Sequence, residues 1–426
     1  MMTAGRFPES LDIRPLKFDL AGVPHATIET NRTCNMRCRF CYNLEREAVK
    51  PLDLVRAEID LALSKRNAST ITLLGGEPTL HPDLPEIVAH VKKRGRICQI
   101  LTNGLVFLEE GGEKLLDRLK AAGVDRICLH VDEGQTHVHS DIDAVRRRLF
   151  AALERRKIPY ALSLTVEESG LGEIPGLVRR HAAGRGFEGV LAVLARDPLP
   201  PQRQNAEIEK EYESFRRELE IEPVAYVPSN LSDADVQWLI YAYFINAATG
   251  RAAALPPRFF RAFSRGHRLL KGRYPFTLSI PARLAGLCAC LVGWIQAIRQ
   301  PSTALSWLRL FRRSRLGREI RFHFAAVQTP PVYNAASGYC QLCFHCPDAA
   351  IRNGKLTPVC LADRINPLPG AERREETDLA VTVYAHLGES APDRRSIVPA
   401  GRKRIGLKST GRAGIRPPRR AFPIRP

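Results

Sequence analysis

Seven of the eleven cysteines in this 426-residue chain lie in two groups whose spacing suits metal binding. Cys34, Cys38 and Cys41 share one eight-residue loop. Three thiolates this close together can hold three irons of a four-iron cluster, which leaves the fourth iron without a protein ligand. Since clusters that only transfer electrons usually take four cysteines, the open iron predicts a site for another molecule. A zinc loop is the alternative, but structural zinc usually needs a fourth protein ligand.

The second group has enough thiolates to close a metal site, and it comprises Cys340, Cys343, Cys346 and Cys360. Its two-residue gaps and the following Pro347 are similar to those of bacterial ferredoxins, although the short final spacing of those proteins is absent. We predict a second 4Fe-4S cluster here, with structural zinc as the alternative. His345 can replace one thiolate, although a place beside the ligands or at the surface fits it better.

The other cysteines lie inside apolar runs and are predicted to be small core residues: Cys98, Cys128, Cys288 and Cys290.

The elements around the first group alternate short apolar runs with segments of helical period, which predicts parallel β/α units. We count six such units between residue 25 and about residue 195. The predicted strands are His25–Glu29, Thr70–Leu74, Ile97–Thr102, Arg126–Val131, Tyr160–Val166 and Val190–Leu194. The predicted helices are Leu52–Lys65, Leu84–Arg94, Glu113–Ala122, Asp141–Arg156 and Ile174–Ala183.

Three motifs follow the first three strands, at the edge of the fold where catalytic groups collect. They are the cysteine loop, Gly75-Gly76-Glu77-Pro78 and Thr102-Asn103-Gly104. Glycines allow the backbone to approach a ligand closely, a carboxylate can accept hydrogen bonds from an ammonium group, and proline stiffens the turn. The sequence therefore predicts one composite site at this edge.

The cysteine loop and the GGE motif resemble those of the radical S-adenosylmethionine (SAM) superfamily. The hallmark of that family is a CxxxCxΦC loop with an aromatic residue before the last cysteine, and Phe40 supplies the aromatic ring. The resemblance covers roughly residues 20–200. It implies a 4Fe-4S cluster, bound SAM, a partial (β/α)6 TIM-like barrel and an enzyme that generates a 5′-deoxyadenosyl radical to abstract hydrogen from carbon.

The resemblance also implies which residues bind the cofactor. Gly75, Gly76, Glu77 and Pro78 hold the methionyl amine, and Asn103 lies near the cofactor unless it only forms a turn. Polar groups at later strand ends are expected at the ribose, although such groups often cap turns instead. The residues expected at the ribose are Asp132 and Ser163. Three histidines could act as acids or bases or could instead be structural or exposed: His130, His137 and His139.

The overall fold class is therefore α/β, with four predicted regions. Residues 1–200 form the barrel core, and residues 201–320 form a mostly helical region that is basic and apolar. Residues 321–370 form a small cysteine-rich module that carries the second metal site. Residues 371–426 form a mostly disordered basic tail.

The net charge of +19 is concentrated in two segments. Residues 251–318 contain 14 Lys or Arg and no acidic residue, and residues 394–426 contain 11 and none. The rest of the chain is mildly acidic. Because appended basic segments account for the charge and no base-reading module is visible, a nucleic-acid substrate is not expected.

The basic, apolar region suggests the substrate. The uncharged run from Leu284 to Ile298 is shorter than the ~20 residues of a membrane span. Aromatic residues interleaved with arginine are typical of an interfacial helix on anionic lipid. The first prediction is thus a lipid or isoprenoid substrate at a membrane surface. The alternatives are a maturase that modifies a peptide or protein, a non-catalytic iron-sulfur electron carrier, and a buried helical pair with a solvated basic face.

Residues 1–24 lack the order of a signal peptide, which predicts a cytoplasmic protein with additional peripheral contact to anionic membrane. The expected electron donor is a protein such as flavodoxin or ferredoxin.

Overall fold

A computed structural model of the chain describes most of its length. The described residues are 12–38, 40–43, 46, 48–132, 135, 140–167, 170–195, 208–276, 279–299, 304–314, 317–334, 339–367, 383–384 and 386–388. They lie in one compact unit. The acid-base candidates His137 and His139 and most of the predicted basic tail lie outside the described residues. Residues 383–384 and 386–388 of that tail are described, and Val383, Tyr384 and Leu387 are buried in the core.

The six predicted β/α units are confirmed, with ends shifted by a few residues. The strands are β1 (His25–Asn31), β2 (Thr70–Gly75), β3 (Ile97–Thr102), β4 (Arg126–His130), β5 (Tyr160–Val166) and β6 (Phe187–Leu194). The helices are α1 (Leu52–Lys65), α2 (Leu84–Lys93), α3 (Gly112–Ala122), α4 (Ile142–Arg155), α5 (Ile174–His181) and α6 (Ile208–Leu219). Strands β1 to β6 pair in parallel and in chain order.

Helix α4 illustrates why these segments fold as they do. Asp141 caps its amino end by accepting a hydrogen bond from the backbone N–H of Ala144 at 2.8 Å. Val145, Leu149 and Leu153 then recur at helical spacing and are buried. The helix therefore presents one apolar face to the core beneath it.

The sheet continues beyond β6 with strands from the second half of the chain. These are β7 (Ala225–Pro228), β8 (Val236–Asn246), β9 (Ala252–Ala254) and β10 (Ile320–Gln328). Strand β10 runs parallel to β6 and antiparallel to β8, which also pairs with β7 and β9. Residues 201–320 thus contribute three strands as well as helices, because alternating apolar and aromatic residues in β8 suit a buried strand better than a helix.

Three helices follow β9 and pack around a second apolar core: α7 (Pro257–Lys271), α8 (Ala282–Arg299) and α9 (Ala304–Phe311). No helix among the described residues is both long and apolar enough to cross a membrane. Cys98 and Cys128 are buried as predicted, whereas Cys288 is only partly buried. The core prediction is wrong for Cys290, which lies on an exposed side of α8.

The C-terminal segment returns to the first strand. Strands β11 (Val332–Asn334) and β12 (Tyr339–Gln341) form a small hairpin. Strand β13 (Ala349–Arg352) runs parallel to β1, β14 (Lys355–Pro358) pairs with β13, and the short helix α10 (Ala362–Ile365) follows. The cysteine-rich part of the chain is therefore joined to the edge of the barrel sheet.

Four buried charges fasten this junction. The Arg32 guanidinium donates to Glu29 Oε1 at 2.7 Å and also to the Asp363 carboxylate. Arg352 contacts the same two carboxylates, at 2.5 Å to Glu29 Oε2 and 2.5 Å to Asp363 Oδ1. All four side chains are buried, and the two positive charges balance the two negative ones.

Replacing Arg352 with methionine tests this junction. Glu29 and Asp363 then lose one of the two guanidinium groups that they share, and we expect the free energy of unfolding to fall by about 3–5 kcal/mol because buried charges lose a partner. Urea denaturation followed by circular dichroism measures the change. The matched control is Arg118→Met, which removes an exposed pair with Glu86 and should cost no more than about 0.5 kcal/mol. Equal effects of the two substitutions contradict the assignment.

Candidate active site

A cavity of about 520 Å³ lies at the carboxyl ends of the barrel strands. It is lined by nearly all of the side chains predicted for the first metal site and the cofactor: Cys34, Cys38, Phe40, Cys41, Gly75, Gly76, Glu77, Asn103, Asp132 and Ser163. Pro78 is buried but is not among the lining residues, because it begins the 3-10 turn behind Glu77. The structure thus brings the motifs of five strand ends to one cavity.

The two glycines let the cysteine loop lie against the end of β2. A Cβ atom on Gly76 would be 2.2 Å from the backbone oxygen of Thr33, and one on Gly75 would be 2.2 Å from that of Asn31. Gly75 also has a φ of 152°, which favours glycine. The two glycines line the cavity, but the backbone that lies closest to them is the segment just before Cys34 and not a ligand.

Glu77 is buried and held by hydrogen bonds from both sides. Its Oε1 accepts from the Thr79 N–H at 3.0 Å, the Thr79 hydroxyl at 2.7 Å and the Thr102 hydroxyl at 2.5 Å. Its Oε2 accepts from the Asn103 N–H at 2.7 Å. Burial raises the pKa of Glu77, and these hydrogen bonds oppose the rise. The carboxylate is therefore fixed between the ends of β2 and β3. Thr102, predicted only as part of the Thr102-Asn103-Gly104 motif and without a role of its own, supplies one of its contacts.

The remaining polar groups link neighbouring strand ends. The Asn103 side-chain amide donates to Asn35 Oδ1 at 2.8 Å, which ties the end of β3 to the cysteine loop. Asp132 Oδ2 accepts from the Thr165 N–H at 2.8 Å and lies 3.4 Å from His130 Nε2. His130 and Ser163 also line the cavity. Asp132 is thus positioned by β5 while it faces the cavity.

The thiols of the first group lie in a setting that suits metal binding. Burial, with Cys41 and Asp132 nearby, raises the pKa of Cys38 to about 11, and burial likewise raises that of Cys34. Such thiols are protonated at neutral pH until a metal displaces the proton. Among the described residues, no three His, Cys, Asp or Glu side chains are arranged around a single ion. A cluster of four irons spreads its thiolates more widely than one ion does, and three cysteines on one cavity fit that donor set.

Comparison with known proteins bears on this site. Residues 28–157 match the radical SAM superfamily, and this stretch contains the cysteine loop, both glycines, Glu77, Asn103 and Asp132. Residues 28–157 therefore form a radical SAM domain. This family implies a 4Fe-4S cluster and SAM, and the three cysteines of the first group and the Glu77 carboxylate line the cavity together.

Curated relatives match only part of the chain. A PqqA peptide cyclase from Xanthomonas campestris pv. campestris is 31% identical over 167 residues, which cover 35% of this chain and 42% of the relative. A PqqA peptide cyclase from Granulibacter bethesdensis is 27% identical over 205 residues, which cover 42% and 52% of the two chains. The chain therefore spans about half the length of the curated relatives that it matches.

Two of the similar solved structures are of SuiB from Streptococcus suis. SuiB bound to S-adenosylmethionine is 15% identical, with 47% of this chain and 48% of SuiB covered and a TM-score of 0.37. SuiB bound to the precursor peptide SuiA is 14% identical, with 42% and 40% covered and a TM-score of 0.33.

The second group of cysteines lies close to the radical SAM site. Cys340, Cys343 and Cys346 are buried, and Cys343 and Cys346 are within hydrogen-bonding reach of each other. The indole N–H of Trp238 donates to Cys343 Sγ at 2.9 Å. His345 points elsewhere, since its Nδ1 lies 2.6 Å from the backbone oxygen of Phe18.

The C-terminal segment also contributes directly to the radical SAM cavity. Cys360, the last cysteine of the second group, lines this cavity together with Asp363 and Arg364. The sequence reasoning assigned Cys360 to a separate metal module and did not select Asp363 or Arg364. Only the three-dimensional pairing of β13 with β1 brings these residues to the cavity. No local sequence pattern around these residues predicts that they line the cavity.

Replacing Gly76 with alanine tests the packing of the cysteine loop. The new methyl group would meet the backbone oxygens of Thr33 and Arg32 at 2.2 and 2.3 Å. We expect the free energy of unfolding to fall by about 1–3 kcal/mol and iron retention after anaerobic reconstitution to drop. The control is Gly266→Ala on α7, where no atom lies within 4 Å. That change should be neutral or stabilising by up to about 1 kcal/mol. Full iron retention in the Gly76 variant would refute the packing role.

Proposed function

We propose that this protein is a radical SAM enzyme whose reaction begins in the cavity at the carboxyl ends of β1 to β5. The observation that carries the proposal is that Cys34, Cys38 and Cys41 line one cavity with the fixed carboxylate of Glu77. When bound by these thiolates, a 4Fe-4S cluster would supply the electron that cleaves SAM to methionine and a 5′-deoxyadenosyl radical, which would abstract a hydrogen atom from a carbon of the substrate.

The protein's own residues position the cofactor. Glu77 would accept hydrogen bonds from the methionyl ammonium, because its carboxylate is already oriented by Thr79, Thr102 and Asn103. Asp132 and Ser163 would accept hydrogen bonds from the ribose hydroxyls, with Asp132 held by the Thr165 N–H. Side chains that are held in place before the cofactor binds would align the reacting atoms.

The proposed substrate is a peptide or protein. The relatives from Xanthomonas campestris pv. campestris and Granulibacter bethesdensis are PqqA peptide cyclases, which supports this alternative better than the lipid substrate that we predicted first. The cavity wall also has polar side chains that could bind a peptide, since Glu167, Arg364 and His130 stand among its otherwise largely apolar lining.

The second metal site is also part of the proposal. Four cysteines, of which Cys340, Cys343 and Cys346 are buried and separated by two-residue gaps, would provide the thiolates for a second 4Fe-4S cluster. Because Cys360 lines the radical SAM cavity, such a cluster would lie near the substrate and could exchange an electron with it. Reducing equivalents come from an electron-donor protein such as flavodoxin or ferredoxin.

A reconstituted wild-type protein should cleave SAM to 5′-deoxyadenosine when dithionite supplies electrons, and the Cys38→Ala variant should lose at least about 99% of that rate. Liquid chromatography quantifies the nucleoside. The Cys290→Ser variant is the matched control, because Cys290 is exposed and belongs to neither group. A non-catalytic electron carrier, in contrast, takes up iron and yields no 5′-deoxyadenosine.

Comparison of a deletion strain with one that carries Cys38→Ala identifies the substrate class. We expect both strains to lack one modified peptide that mass spectrometry detects in the wild type, with the lipid fraction unchanged. A missing lipid in both strains contradicts the peptide assignment without affecting the assignment of SAM cleavage.

Metal content separates the two interpretations of the second site. Two 4Fe-4S clusters give about eight irons per chain, whereas one cluster and a structural zinc give about four irons and one zinc. We expect about eight in the wild type and about four in the Cys343→Ala variant, measured by plasma emission spectrometry. Zinc in the wild type that disappears in the Cys343→Ala variant contradicts the second cluster.

A further inference from the structure

Helix α8 has small residues on the face that packs against the protein. Ala285 and Ala289 are buried in the second core. A Cβ atom on Gly286 would be 2.5 Å from the backbone oxygen of Gly317, and one on Gly293 would be 2.8 Å from the Trp307 ring. The backbone of α8 therefore lies as close to its neighbours as the chain allows, and large side chains on this face are excluded.

The opposite face of α8 carries large apolar side chains exposed to solvent. They recur at intervals of three and four residues, which places them on one stripe of the helix. Their exposed fractions are 43% for Leu284, 68% for Leu287, 60% for Leu291, 68% for Trp294 and 63% for Ile298. The stripe is about 21 Å long at the helical rise. We call these five residues the outer stripe.

Helix α9 packs against α8 and adds two more exposed leucines, Leu305 and Leu308. Single exposed leucines occur on most protein surfaces, but an exposed apolar patch of this size indicates a binding surface for a membrane or for another protein.

The charged residues within the sequence segment that carries the outer stripe all have one sign. Arg283 and Arg299 are exposed at the two ends of α8, and Arg312 and Arg313 are exposed just after α9. From residue 251 to residue 318 the sequence contains 14 Lys or Arg and no acidic residue. Long arginine side chains beside an apolar surface can extend to phosphate groups while their stems stay in the apolar layer.

We propose that the outer stripe of α8 inserts into the surface of a bilayer that contains anionic lipid. The helix lies in the plane of the membrane with Leu287, Leu291 and Trp294 below the headgroups, and the arginines contact the lipid phosphates. Charge complementarity favours this occupant, because the exposed arginines at both ends of α8 and just after α9 match the phosphates of anionic lipid. The proposal concerns the surface of α8 and does not depend on the reaction in the cavity.

Sedimentation with vesicles tests the proposal on the full-length protein. We expect binding to vesicles of equimolar phosphatidylcholine and phosphatidylglycerol, weak binding to phosphatidylcholine alone, and a decrease when salt screens the charges. The Leu287→Glu/Leu291→Glu variant should bind the anionic vesicles at least about tenfold less. The matched control, Leu54→Glu/Leu231→Glu, changes two leucines of similar exposure elsewhere and should bind like the wild type.

Tryptophan fluorescence gives a second readout. Of the chain's three tryptophans, all of them described, Trp238 and Trp307 are buried and Trp294 is exposed. Anionic vesicles should shift the emission to shorter wavelength, and brominated lipids should quench it. The Trp294→Phe variant should lose both responses, although it still sediments with the vesicles.

Two results overturn the proposal. One is equal binding of anionic vesicles by the wild type and the Leu287→Glu/Leu291→Glu variant. The other is a wild-type protein that ignores vesicles but self-associates in analytical ultracentrifugation, with the glutamate variant monomeric, which assigns the outer stripe to a second copy of the chain.

Discussion

The buried charges of Glu29, Arg32, Arg352 and Asp363 are the interaction on which the rest of this structure depends. Burying a charged side chain costs free energy, and this cost is offset only when an oppositely charged partner is correctly positioned beside it. Here those partners come from segments more than 320 residues apart in sequence. Arg32 lies two residues before Cys34, and Asp363 lies three residues after Cys360. The same four charges therefore fix both cysteine groups relative to one another.

Backbone contacts complete the radical SAM site. Gly75 and Gly76 let the segment before Cys34 touch the end of β2, and the Glu77 N–H donates to the Thr33 oxygen at 2.8 Å. The side chain of Glu77 then accepts from the end of β3. The motif that family resemblance assigns to the cofactor thus also builds the loop that would hold the cluster. A variant of this motif can lose function because it no longer contacts the cofactor or because the cysteine loop no longer packs correctly. The stability measurements proposed for Gly76 distinguish these two causes.

The sequence could predict those parts of the fold that have local signals. The six β/α units and the grouping of the motifs at one sheet edge follow from hydrophobic period and chain order, as the strands ending at Gly75 and Thr102 illustrate. The pairing of β13 with β1 and of β10 with β6 could not be predicted, because sheet partners distant in sequence leave no local pattern. Cys360 was consequently assigned to a separate module, although it lines the radical SAM cavity. Cys290 was wrongly predicted to be a core residue. Helix α8 is apolar on both sides, so its hydrophobic pattern does not indicate which side packs against the protein.

The long separation of Glu29 and Arg32 from their C-terminal partners has a consequence for biosynthesis. At typical elongation rates the ribosome needs roughly 20–60 s to make the 331 residues from Arg32 to Asp363. During that interval the nascent barrel has its first cysteine loop but not the strands and helix that later close over it. The order of translation therefore leaves a period in which iron and sulfide can reach Cys34, Cys38 and Cys41 from the side that the finished protein covers.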